Sequence, residues 1–264
     1  MNAVWIALAG VAGAAIGSFL NVVAHRGPRL WGLVGESDGA ETLSHPRSYC
    51  PACRAPIRRF DLIPLASFLI LRGKCRTCGA AIPPRYLIVE AAGAVSGALA
   101  IVLYGPTLDA LFASLFLFAL ITLTTIDLET GFLPDAITIP LVWLGLIANL
   151  GDRFASLSAS VIGAVAGYLS LRLIADLYRL ARRREGLGLG DAKLLAAIGA
   201  WGGWTILAPT VFAGALVALC GVAIARLFGR RFQSDSPIAF GPALCVAGGA
   251  LFIFTTTGRM DFFG

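Results

Sequence analysis

The sequence predicts an all-α polytopic membrane protein of about eight transmembrane helices, with a small polar domain between the first and the second. Three observations lead there. Hydrophobic residues make up 58% of the 264 and charged residues only 14%, with a mean hydropathy of +0.82; a soluble domain is roughly 45–50% apolar and about 25% charged. Apolar segments follow one another along most of the chain. One polar stretch interrupts them, residues 26–85, and it holds two Cys-x-x-Cys pairs.

The first apolar segment, residues 3–24, carries Gly10, Gly13 and Gly17. Small residues at such spacings let helices approach closely in lipid. No basic run precedes the segment, and the first arginine is Arg26. This order predicts a first span with its N-terminus outside rather than a secretory signal. Asn21, near the end of the segment, reads as a packing hydrogen bond. Within the polar stretch, residues 62–71 are apolar but too few for a span, which takes about 20 residues. They are expected at the interface or inside the small domain. Seven more spans are predicted at 86–104, 108–126, 136–150, 157–178, 192–205, 207–228 and 239–257. The domain organisation is thus a first transmembrane helix (1–25), a cytoplasmic loop domain (26–85) and a transmembrane core (86–264).

Basic residues set the orientation. The loop 26–85 and the loops after the fifth and seventh spans carry seventeen of them. The other face has Arg153 and Arg259. Both termini are therefore expected outside, with Asp127 and Asp191 both at the cytoplasmic face. The net charge of +6 belongs to these loops, beside an anionic membrane surface. It does not indicate a nucleic-acid partner.

Cys50-Pro51-Ala52-Cys53 and Cys75-Arg76-Thr77-Cys78 are separated by residues 54–74. Two such knuckles supply four thiolates, which suits a closed tetrahedral Zn2+ site with a structural role. Two disulfides or free thiols are the alternatives; disulfides rarely persist in the cytoplasm. Gly79 allows a tight turn after the second knuckle. Cys220 and Cys245 lie alone in apolar segments and read as small buried hydrophobes.

Two carboxylates stand at the mouths of apolar segments. Asp191 follows two glycines in Gly188-Leu189-Gly190-Asp191, and Asp127 closes the third span ahead of the breakers Gly131 and Pro134. A charge at the edge of hydrocarbon is costly and marks a functional candidate. Paired aspartates are what aspartyl proteolysis requires: two that share a proton can activate a water and polarise a carbonyl. Asp109, Asp135 and Asp152 read as caps or solvated charges. Arg172 and Asp176 read as a local ion pair. Glu129 reads first as a solvated helix-end charge. Glu90 lies one turn inside the second span, where the sequence leaves open a partner arginine or a site.

Four stretches together resemble the type IV prepilin peptidases, or leader peptidase/N-methyltransferases, of the membrane-embedded GxGD aspartyl proteases. They are Gly17-Ser18-Phe19-Leu20-Asn21-Val22-Val23; the cysteine loop through Ile63-Pro64-Leu65 and Leu71-Arg72-Gly73-Lys74-Cys75 to Arg85-Tyr86 and Glu90; residues 127–135; and residues 188–202. Phe240-Gly241-Pro242 is a weaker fifth. The sequence departs from the family pattern at Asp61-Leu62, at Arg85-Tyr86-Leu87 and at Ala239. The resemblance implies that Asp127 and Asp191 form a catalytic dyad, with Gly188, Gly190, Lys193, Glu129 and Glu90 as substrate-binding or site-shaping candidates. It implies cleavage of prepilins and pseudopilins after a glycine at the inner-membrane cytoplasmic face. S-adenosylmethionine-dependent N-methylation of the new N-terminus would follow. The alternatives are a zinc-ribbon membrane scaffold, which leaves the aspartates unexplained, and a carboxylate-coupled transporter, which favours carboxylates near the midplane.

Overall fold

A computed structural model describes residues 3–35, 42–183, 188–227 and 239–258. Arg184, Arg230, Arg231 and Arg259, which entered the orientation argument, lie outside the described residues. Apart from two isolated bridges, the described secondary structure is helical. Among the described residues, five helices are long and apolar enough to cross a membrane. The chain divides into two compact units, residues 1–125 and 126–264.

The first unit is built on α1 (Ala3–Leu30) and α3 (Arg85–Tyr104), which pack against each other. Gly13 and Gly17 meet Gly93 and Gly97 along the contact. A Cβ on Gly13 would come within 2.3 Å of the Gly93 carbonyl oxygen, and one on Gly97 within 2.5 Å of the Ala9 oxygen. The backbones touch with no room for a side chain, as small-xxx-small stripes permit. The outer face of α1, including Trp5, Leu8 and Val11, is apolar and exposed. Asn21 is buried, and its Nδ2 donates to Gly17 O (3.3 Å) and Tyr86 O (3.2 Å), the packing role expected. The helix runs to Leu30, past the expected end at residue 24. Arg26 marks a polarity boundary but does not stop a helix; it is buried and donates to Thr42 O (2.9 Å) and Pro46 O (2.8 Å).

Between these helices, residues 62–71 hold a short helix α2 (Ala66–Ile70). It is entered through a tight turn in which Ala66 N–H donates to Pro64 O (2.6 Å) and Leu65 has φ 62° and ψ −52°. This is the rare form of the γ-turn, and such backbones persist only where neighbours hold them. Glu90 is that neighbour: its Oε2 accepts the Leu65 N–H at 2.8 Å. α4 (Leu108–Thr130) then carries the chain from the first unit into the second.

The second unit is organised around α7 (Leu189–Gly202), buried along nearly its whole length and packed by α5 (Asp135–Ala148), α6 (Leu157–Arg182) and α9 (Gly241–Thr256). α8 (Leu207–Leu227) packs on α9. Gly163 and Gly199 bring α6 and α7 together, each with its would-be Cβ within 2.4 Å of the other's carbonyl oxygen. The end of α7 distant from Asp191 is locked. Asn149 Nδ2 donates to Ala200 O (3.0 Å), Trp201 O (2.9 Å) and Ser160 Oγ (2.9 Å), and its Oδ1 accepts from Phe154 and Ala155 N–H. Trp201 donates to Leu141 O (2.8 Å), and its ring lies tilted against Phe154 and edge-to-face with Phe252. Buried amides fully used in this way fix one arrangement.

Asp152 accepts the Leu157 N–H (2.9 Å), a capping role, and Arg172 pairs with Asp176 (2.8 Å), as the sequence suggested. Cys245 is buried, but Cys220 is exposed. The expectation fails there because α8 is apolar all round and turns one face away from the unit, so hydrophobicity alone does not bury a residue on it.

Candidate functional site

Asp127 lies in the last turn of α4 and is 6% exposed; its backbone carbonyl accepts the Gly131 N–H at 2.8 Å, closing the helix. Gly131 has φ +72°, a backbone region that other residues enter only with strain. Asp191 is the third residue of α7 and is 8% exposed, with Gly188 as the N-cap. Both aspartates belong to the second unit, and Asp127 is near enough for its charge to act directly on Asp191. Asp127 Oδ2 lies against Gly241 and Asp191 Oδ2 against Gly188. The first turn of α7 adds the free N–H groups of a helix N-terminus around Asp191.

The glycines differ in what they do. A Cβ on Gly188 would meet Asp191 Oδ2 at 3.5 Å, an ordinary contact. On Gly241 it would lie 2.5 Å from Asp127 Oδ2, and on Gly190 2.9 Å from Leu133 Cβ. Gly241 and Gly190 are therefore small because neighbours press on them. Lys193, one helical step past the aspartate, reaches Asp135 Oδ1 (2.5 Å) and Oδ2 (2.7 Å) and ties α7 to the first residue of α5. Glu129 is exposed beside Asp127. Glu90 belongs to the first unit, where it holds Leu65.

Two residues of the site escaped the sequence reading. Gly241 appeared only within a weak motif, and Leu133 only as a member of the stretch 127–135, with no role of its own. The local signal for both was a proline next door, Pro242 and Pro134, marking backbone that must be held rigid.

The four knuckle cysteines place their sulfurs within 4.8 Å of one another, with Cys50 and Cys78 at 3.9 Å. A tetrahedron with metal–sulfur bonds of about 2.3 Å has sulfurs about 3.8 Å apart, so the four cysteines fit a zinc ion. No disulfide links them. The knuckles are built alike. Arg54 N–H donates to Cys50 O (2.8 Å) and Gly79 N–H to Cys75 O (2.9 Å), with positive φ at both Arg54 (57°) and Gly79 (73°). Without a metal the thiols share charge unevenly: the Cys78 and Thr77 N–H groups hold the Cys75 thiol down at about 6, while desolvation and the neighbouring cysteine thiols push Cys78 up to about 11; a bound metal takes the thiolate form. Arg76 grips Asp61 through Nε (2.9 Å) and Nη2 (2.6 Å) and keeps its carboxyl below the usual range.

S-adenosylmethionine finds no comparable fit. Among the described residues the buried acceptors left over are Asn21 Oδ1 and Thr210 Oγ1, on separate units. Among the described residues no glycine-rich loop follows a strand. No step through that cofactor is derived.

Comparison with known proteins gives a consistent picture. Residues 11–104 match the bacterial peptidase A24 N-terminal domain, and residues 114–225 match the type IV leader peptidase family. The chain is 44% identical, over 95% of its length and 86% of the relative's, to a prepilin leader peptidase/N-methyltransferase of Burkholderia pseudomallei (strain 1026b). Like-named proteins of Pseudomonas aeruginosa (43%, over 89% of this chain and 86% of that one) and Neisseria gonorrhoeae (42%, 94% and 90%) are similar to the same degree. No solved structure matches the chain.

Proposed function

The chain belongs to the type IV leader peptidase family, and on that footing we propose that it is a membrane aspartyl endopeptidase with Asp127 and Asp191 as its catalytic dyad. Its substrates are prepilins and pseudopilins, cut after a glycine at the cytoplasmic face of the bacterial inner membrane. N-methylation of the new N-terminus follows, with S-adenosylmethionine as methyl donor. The observation that carries the reading is two buried aspartates on different helices of one unit, Asp127 against Gly241 and Asp191 next to Gly190, with Leu133 touching both glycines.

The chemistry follows from that arrangement. Two buried carboxylates side by side cannot both be charged cheaply, so they hold one proton between them. The ionised one takes a proton from a water as its oxygen attacks the scissile carbonyl. The protonated one donates to the carbonyl oxygen, and a proton then passes to the amine as the C–N bond breaks. The pair titrates as a unit, and neither aspartate has a fixed part. Gly241 and Gly188 lie against the carboxylates, and the Lys193–Asp135 pair braces the mouth of α7. Substrates with a basic leader and an apolar helix suit a site at a helix mouth beside lipid.

The topology proposed is eight spans, with the short helices α5, α7 and α9 completing the five long ones, and with residues 26–85 in the cytoplasm as a zinc-bearing domain ahead of the core. A short span is accommodated by local thinning of the bilayer. Zinc has a structural part, closing the two knuckles; metal analysis of the purified protein is expected to return one zinc per chain.

The experiment for the dyad is prepilin cleavage by purified Asp127→Asn and Asp191→Asn variants in detergent, where no membrane gradient exists. Each is expected to lose about 10³-fold or more in rate. Normal cleavage by a folded variant would refute the assignment. A transporter or a scaffold would cleave nothing in either form.

A further inference from the structure

Resting on the peptidase reading, we infer that Leu133 is the residue that restricts cleavage to bonds following a glycine. Leu133 sits in the short link between α4 and α5, and its side chain touches the backbone beside both aspartates. Its Cβ and Cδ1 lie 2.9 and 3.3 Å from where a Cβ on Gly190 would be, immediately before Asp191. Its Cδ1 lies 3.1 Å from the corresponding point on Gly241, and Asp127 Oδ2 lies 2.5 Å from that same point. One isobutyl group thus lines the approach to both carboxylates, pressed against two glycines that have no side chain to yield.

The wall is rigid. Leu133 precedes Pro134, which confines it to extended backbone. Pro134 is buried and caps α5, its carbonyl accepting the Ile137 and Thr138 N–H groups at 3.0 Å each. On the other side the chain is turned by Gly131. Asp135, two residues on, is clamped by Lys193 from α7. These three restraints hold the Leu133 backbone in place.

The position of the wall selects which substrate residue it acts on. The dyad must reach the carbonyl carbon of the residue that ends the leader. That residue's Cβ is two bonds from the carbon under attack, whereas the Cβ of the next residue is three bonds away and beyond the amide plane. Crowding at the carboxylates therefore bears first on the leader's last residue. Glycine there presents hydrogen to the Leu133 side chain, and alanine presents a methyl group. Leu133 acts on substrate shape and takes no part in proton transfer.

The test is purified full-length wild type, Leu133→Val and Leu133→Ala, each given a prepilin with Gly or Ala as the last leader residue. Products are quantified by mass spectrometry. Wild type is expected to favour Gly by at least about 10-fold, the discrimination a single misplaced methyl commonly gives, within a range of about 10–200-fold. Leu133→Val should narrow that ratio and Leu133→Ala narrow it further, through faster cleavage of the Ala substrate. An unchanged ratio in both variants overturns the proposal, as does wild type cleaving both substrates equally. Loss of all cleavage in both folded variants overturns it too, because Leu133 would then be needed for activity itself. Wild type that cleaves neither substrate rejects the peptidase reading on which the proposal stands.

Discussion

α1 and α3 in the first unit and α6 and α7 in the second use the same contact, glycine on backbone carbonyl, to different ends. Gly13 against Gly93 holds a two-helix pair whose outer face stays apolar and exposed. Gly163 against Gly199 holds α7 inside a ring of helices, with hardly a residue of α7 left uncovered. The first pair can yield outward, since the outer side chains of α1 are exposed. α7 cannot, because α5 and α9 stand on its other sides. The aspartate at its mouth therefore inherits the rigidity of the whole unit, which catalytic geometry requires.

The sharpest way to break this comparison is to force the two contacts apart. Gly199→Ile is expected to cost more than about 3 kcal/mol, the upper end for overpacking, and to abolish both folding and cleavage. Gly13→Ile should lower the melting temperature in detergent while leaving measurable cleavage. Equal damage from the two, by thermal melting and prepilin processing, would mean that enclosure of α7 adds nothing.

A smaller effect separates the glycines at the dyad. Gly241→Ala puts a methyl group 2.5 Å from Asp127 Oδ2, and a displacement of about 1 Å at a catalytic group costs about 10²-fold in rate. Gly188 has an extended backbone, φ −70°, open to any residue, and its added Cβ meets Asp191 Oδ2 at 3.5 Å. Gly188→Ala should stay within about 5-fold of wild type, an ordinary contact being nearly free of strain. Rates on one prepilin, with circular dichroism as the folding control, decide between them.

The least effect belongs to the knuckles. Gly79→Ala places a side chain at φ 73° and should cost about 1 kcal/mol, whereas Arg54→Gly relieves the same conformation at 57°. Zinc retained against a graded chelator should fall in the first variant and hold or rise in the second. If the two shift alike, the knuckles are not equivalent.

Much of this was legible in the chain. Helices α3, α4, α5 and α6 begin within a residue of the predicted spans, because long apolar runs leave the backbone no other way to satisfy its hydrogen bonds in lipid. The cysteine cluster followed from spacing alone, since two knuckles bring four thiols together with few alternatives. The ends of α1 and α7 were less legible. Arg26 and Asp191 are charges that the sequence reads as edges, yet each lies inside a helix that buries it.

What the sequence determined by itself is the helical class, the two aspartate motifs at the ends of apolar segments and the four-thiol site, all set by local composition and short spacing. Only the tertiary structure decided that Gly241 supports Asp127 and that Leu133 lies against both Gly190 and Gly241. These contacts join residues 57 to 114 positions apart. Nothing in a single chain's local pattern specifies which distant residue will fill a given gap; packing at close to crystal density does.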